Sequence, residues 1–112
     1  MKVGIIGLGY VGGAMHHWFA EHTDRELFLY DKCKEIGSVD EVNRAEVIFV
    51  AVPTPYHRDG RGFDDSAVVD AVSNVRPGKI VVIKSSVLPG TTARFQERLP
   101  DRTFLFNPEF LR

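Results

Sequence analysis

Five short apolar runs recur along the chain, and helix-spaced or turn-rich stretches separate them. Residues 2–7 do not alternate, which suits a strand buried on both faces. From 10 to 21, Val11, Ala14, Met15, Trp18 and Phe19 recur at helical spacing and predict a helix whose stripe packs on the sheet. His16, His17 and His22 lie mostly off that stripe, show no zinc-ligand spacing and read as solvated; no metal is expected. Residues 26–31 are a second strand. The polar stretch 32–46 supports at most a one- or two-turn helix around 39–44, short for a full crossover helix. Residues 47–52 are a third strand, ended by Pro53-Thr54-Pro55.

Residues 53–64 read as a loop. Asp64 is the expected N-cap of a helix over 65–75, with Ala67, Val68, Ala71, Val72 and Val75 as its apolar set. Arg76-Pro77-Gly78 stops it. A fourth strand over 79–84 is rich in β-branched residues. After a loop, a helix opens at Thr91 or Thr92 and runs to 99, with Ala93, Phe95 and Leu99 inward. A fifth strand covers 103–106, and Asn107-Pro108-Glu109-Phe110-Leu111-Arg112 follows. Strands alternating with helices predict an α/β fold: one Rossmann-like, doubly wound parallel sheet of about five strands, order 3-2-1-4-5, in a single domain over 1–112. Ligands of such sheets bind outside the carboxyl ends of the strands. The punctuated polar residues fall at those ends.

The first strand runs into Gly7-Leu8-Gly9-Tyr10-Val11-Gly12, a G-x-G-x-x-G turn opening a helix, and Asp31 follows Gly12 by 19 residues. Strand, glycine turn, helix and spaced acid together form the dinucleotide fingerprint. Gly7 permits the tight turn, Gly9 lets the backbone approach a pyrophosphate, and Gly12 brings helix and strand close. Free N–H groups at the helix start favour phosphate. Asp31 would accept from the adenosine ribose and repel a 2′-phosphate, which selects NAD over NADP. Lys32 beside it could pair with a phosphate or be solvated. Val52, Pro53 and Thr54 end the strand beside the first and could wall the cofactor. Ser85 and Ser86 offer hydroxyls near a nicotinamide ribose or a substrate, or serve turn chemistry. Glu109 could orient a water or hold a proton, or be a solvated acid.

The 112 residues carry a net charge of −1, which leaves no electrostatic footprint for nucleic acid or an anionic membrane surface. Nothing reads as a signal peptide, and no run reaches membrane-span length. The single cysteine, Cys33, cannot form an internal disulfide, and a reducing cytoplasm is the expected setting.

At these residues the chain resembles the N-terminal NAD-binding domain of the UDP-glucose/GDP-mannose dehydrogenase family. The matching pieces are KVGIIGLGYVG at 2–12, VAVPTP at 50–55, Gly60 with Asp64-Asp65-Ser66, KSSVLPGTT at 84–92 and NPEFLR at 107–112. The resemblance implies NAD-dependent twofold oxidation of a nucleotide-sugar C6 alcohol to a carboxylate. It implies cofactor contacts from Gly7 to Gly12, Asp31, the Pro53-Thr54 turn and Ser86, which stands where the family usually has threonine. It places Glu109 at the family's first active-site glutamate. The family's later lysine, asparagine and thiol-bearing cysteine have no counterpart here, so the resemblance transfers the cofactor half of the reaction. A stand-alone NAD-binding module without turnover is the alternative, and a hydroxyacid-type dehydrogenase fits the glycine turn but not NPEFLR. A nucleotide sugar with a missing domain or partner chain, and a homodimer through the outer side of the fifth strand, are the expected partners.

Overall fold

The computed structural model describes residues 2–57, 59, 62–88 and 90–107. In chain order the elements are β1 (Val3–Ile6), α1 (Tyr10–His22), β2 (Leu27–Asp31), β3 (Ile36–Gly37), α2 (Val39–Val42), β4 (Val47–Val50), β5 (Tyr56–His57), β6 (Gly62–Phe63), α3 (Ser66–Ser73), β7 (Ile80–Ile83), α4 (Thr91–Arg98) and β8 (Thr103–Phe106). Six strands make the main sheet, in the order β3-β2-β1-β4-β7-β8. Counted within the sheet, that is the doubly wound 3-2-1-4-5-6. The third place belongs to the two-residue β3, antiparallel to β2, and not to the apolar run at 47–50. That run is β4 and pairs with β1, so Pro53 and Thr54 do follow the strand beside the first.

The five parallel strands are in step. Ile6 pairs with Tyr30 and Val50, Val50 with Ile83, and Ile83 with Phe106. All five therefore end on one line, and their exit loops share one edge. Bonds continue the ladder into those loops: Gly7 N to Tyr30 O, Ala51 N to Ile6 O, Lys84 N to Val50 O and Asn107 N to Ile83 O.

The main hydrophobic cluster lies on one face of the sheet. Ile6, Phe28, Ile48, Val50, Val81, Ile83 and Phe104 meet Val42 and Ala45 around α2, Val68, Ala71 and Val72 of α3, and Phe95 of α4. Burying each valine, isoleucine or phenylalanine side chain of this set stabilises the fold by roughly 1.5–3 kcal/mol. The short crossover is anchored by buried Asn43, whose amide donates to Val39 O and Asn74 O and accepts from Arg76 N. Asp65 rather than Asp64 stands at the N-cap of α3; the Asp64 carboxylate, one residue earlier, accepts from Ser66 N. Ala93 is exposed on α4, where Phe95 carries the inward contact. The 53–64 stretch, read as loop, carries the β5–β6 ribbon.

The α1 stripe departs from expectation. Gly12 is the helix's buried residue, and Trp18 is 52% exposed. The cause is topological. The three later crossovers cover the face of Ile48 and Val50, while Phe49 points to the opposite face and meets Phe19 at 5.8 Å between ring centroids. Trp18 finds its contacts within the helix, edge-on to Phe19 and stacked on His22.

Candidate cofactor site

The glycine turn closes by steric necessity at two of its three glycines. Gly7 has φ +94°, and a Cβ there would lie 2.8 Å from the Ala51 carbonyl. A Cβ on Gly12 would fall 1.7 Å from Gly7 O, which is where α1 is pressed against the end of β1. Gly9 differs: a Cβ there would meet nothing within 4 Å. Gly9 is also the N-cap of α1, and no side chain caps that end. The first α1 ladder bond is Gly13 N to Gly9 O, so the N–H groups of Tyr10, Val11 and Gly12 precede it. An uncapped N-terminus over open space is suited to an anion.

Asp31, at the end of β2, is buried and reaches across to this turn. Leu8 N donates to its Oδ2 at 2.7 Å, and Lys34 N donates to its Oδ1 at 3.0 Å. The Lys34 ammonium donates in turn to Leu8 O at 2.6 Å, so the two loops clasp each other. Burial pushes the Asp31 carboxyl up, but N–H donors from Leu8, Lys34 and Cys33 and the Lys34 charge outweigh it and hold it below the ordinary aspartate value. The bonds from Leu8 N and Lys34 N take two of roughly four acceptor positions on a carboxylate. Asp31 thus keeps acceptor positions for a ribose hydroxyl without giving up a backbone bond.

The lowered value has a sign. A carboxyl whose pKa is depressed by folding stabilises the folded state above its unfolded pKa, and that contribution disappears as pH falls through the folded value. Urea unfolding at stepped pH should show wild type losing stability below about pH 4 more steeply than Asp31→Asn. Parallel acid limbs in the two proteins would refute it.

Two cavities flank the turn. The first, about 270 Å³, is walled by Ile6, Gly7, Gly9, Tyr30 and the 31–34 segment on one side, and by Val52, Pro53, Ala67, Asp70 and Ala71 on the other. The second, about 320 Å³, is walled by Gly9, Tyr10, Val11, Ala51, Val52, Pro53, Thr54, Lys84, Ser85 and Ser86. Gly9, Val52 and Pro53 line both, so the two spaces meet over the glycine turn. A larger open depression of about 640 Å³ involves Lys2, Asp24, Arg25, Glu26 and Glu46 at the opposite end of the strands, away from the glycine turn.

Most sequence-predicted residues converge here. Lys32 lines the first cavity, while Tyr10, Val11, Thr54 and Ser86 line the second. Leu8 is buried, and its N–H serves Asp31. The Ser85 hydroxyl donates to Val52 O at 2.6 Å, which commits its proton to fixing the end of β4. Glu109 lies outside the described residues, although Asn107 N bonded to Ile83 O carries the chain toward this edge. Three charged lining residues escaped sequence reasoning: Lys34, Asp70 and the buried Lys84. For Lys34 the signal was faint, a lysine three residues after the acid. Lys84 opens the KSSVLPGTT piece and closes an apolar strand, and neither feature gave it a role in the site. Asp70 looked like the polar side of an amphipathic helix.

Known proteins bear on these observations. The family model for the UDP-glucose/GDP-mannose dehydrogenase family, NAD binding domain, matches residues 32–112. The chain is 26% identical to UDP-glucose 6-dehydrogenase of Campylobacter jejuni, covering 100% of this chain and 37% of that protein. It is also 26% identical to UDP-glucose 6-dehydrogenase of Streptococcus pneumoniae, covering 100% of this chain and 36% of that one. It thus spans little more than a third of these relatives. A UDP-glucose dehydrogenase structure from Pyrobaculum islandicum superposes with a TM-score of 0.80 at 27% identity, over 99% of this chain and 36% of that chain. A UDP-D-ManNAc dehydrogenase structure from Pyrococcus horikoshii, at 20% identity and TM-score 0.85, shares the fold over 100% of this chain and 37% of that chain. The chain belongs to the UDP-glucose/GDP-mannose dehydrogenase family, matching its NAD binding domain.

Proposed function

We propose that residues 1–112 form one domain that binds NAD for a nucleotide-sugar 6-dehydrogenase, and that this domain is incomplete for catalysis alone. The observation that carries this reading is the pair of cavities meeting over Gly9. A dinucleotide has two nucleoside halves joined by a pyrophosphate. The first cavity accepts the adenosine half, with Asp31 on its ribose. The uncapped start of α1 takes the pyrophosphate, with Gly9 leaving the space for it. The second cavity accepts the nicotinamide half, with Thr54, Ser86 and Lys84 as its polar contacts. When bound, NAD supplies a hydride acceptor. This chain's residues orient it, and the ionised Asp31 excludes a 2′-phosphate.

Glu109 and Ser86 are proposed to face the reacting end, where they would position a water or the substrate alcohol. The nucleotide sugar is held by segments beyond these residues or by a partner chain. Leu105 and Phe106 of β8 are exposed and suit pairing with a second copy. The lone, exposed Cys33 fits a reducing cytoplasm. Among the described residues, no helix is long and apolar enough to cross a membrane.

Calorimetric titration tests the reading. NAD should bind, NADP should bind at least about tenfold more weakly, and UDP-glucose should give no heat. The chain with UDP-glucose and NAD should make no steady NADH. Equal binding of NAD and NADP would overturn the Asp31 assignment; turnover by the pure chain would overturn its incompleteness. A stand-alone NAD-binding module shares the same site and is separated by the mass of the native protein.

A further inference from the structure

The first cavity is lined mostly by apolar surface. The side from the end of β2 carries Asp31, Lys32 and Lys34, and Val52, Pro53, Ala67 and Ala71 line the other. One polar side chain interrupts that second wall. Asp70 sits on α3 between Ala67 and Ala71, and positions three and four apart share a helix face. Asp70 is exposed, unlike the buried Asp31. The Asp31 carboxylate is gripped by backbone N–H groups, whereas no hydrogen bond or ion pair among the described residues involves the Asp70 carboxylate. An aspartate at neutral pH can only accept hydrogen bonds. A purine against this wall would bury its faces on the alanines, Val52 and Pro53 and turn an edge to Asp70.

We propose that Asp70 reads the base: it accepts from the exocyclic amine of adenine and rejects a purine with a carbonyl in that place. This rests on the NAD-binding reading and deepens it. Adenine N6 donates two N–H bonds, whereas hypoxanthine O6 accepts and would meet the carboxylate as like against like. Selection at the base is thereby separated from selection at the ribose, which falls to Asp31.

The test compares NAD with nicotinamide hypoxanthine dinucleotide by calorimetry, on wild type and on Asp70→Asn. Wild type should bind the hypoxanthine form about tenfold more weakly, the scale of one hydrogen bond to a charged group. Asp70→Asn keeps the shape, and its amide can turn either an oxygen or an NH₂ to the base. Its preference should shrink to about twofold or less. Equal wild-type affinities overturn the proposal without recourse to any variant. So does an undiminished preference in Asp70→Asn, and in both cases NAD binding itself survives. If neither dinucleotide binds wild type, the NAD reading fails and this inference fails with it.

Discussion

Gly12→Ala should lose much of the fold's stability, whereas Gly9→Ala should keep it and bind the cofactor weakly. At Gly12 the new Cβ would lie 1.7 Å from Gly7 O, a backbone atom that no rotamer change can move away. Either α1 lifts from β1 or the turn reopens. Overpacking against side chains usually costs about 1–3 kcal/mol, and a clash this deep against backbone belongs at or above the upper end. A domain of this size has only about 5–15 kcal/mol of stability. Urea denaturation should therefore place Gly12→Ala at least about 3 kcal/mol below wild type. At Gly9 the Cβ enters space that no protein atom occupies, so stability should move by less than about 1 kcal/mol. That space is where we propose the pyrophosphate sits, and NAD affinity should drop at least about tenfold. Gly12→Ala within about 1 kcal/mol of wild type would contradict the steric account, and unchanged NAD binding by Gly9→Ala would contradict the ligand account.

Removing the carboxylate of Asp31 should damage both properties together. Asp31→Ala leaves the buried Leu8 N–H without its 2.7 Å acceptor and frees the Lys34 backbone. An unsatisfied buried donor costs about 1–3 kcal/mol, and denaturant unfolding should report that loss. NAD affinity should fall about 10- to 100-fold, since a charge-assisted bond to the ribose disappears and the glycine turn loses its clasp. NADP affinity should fall less, because the charge opposing a 2′-phosphate has gone. A variant with wild-type stability and wild-type preference for NAD would remove Asp31 from both roles.

How far the fold was legible can be argued from particular residues. The apolar runs gave the five parallel strands because fully buried strands carry no alternation to confuse the reading. The Val47–Val50 run was harder to place, since its rank depended on β3. Ile36–Gly37 makes only two pairings with β2, too short to leave a periodic trace. Trp18 was misread for a related reason. Helical spacing reports which face a helix turns to its sheet, but not whether neighbouring helices close over it. The glycine turn and Asp31 were legible because spacing encodes them directly. Lys34 and Asp70 enter the site through contacts between loops and helices distant in sequence, which no local pattern records.

The division of labour within the glycine turn bears on how such turns should be read in other chains. Gly7 and Gly12 are demanded by the backbone's own geometry, with or without any small molecule. A lineage that abandoned its nucleotide would still be held to those two positions, and its motif would look nearly intact. Only the middle glycine would be released to drift. In a degenerate member of such a lineage, the residue standing at the place of Gly9 is the one to inspect for lost binding.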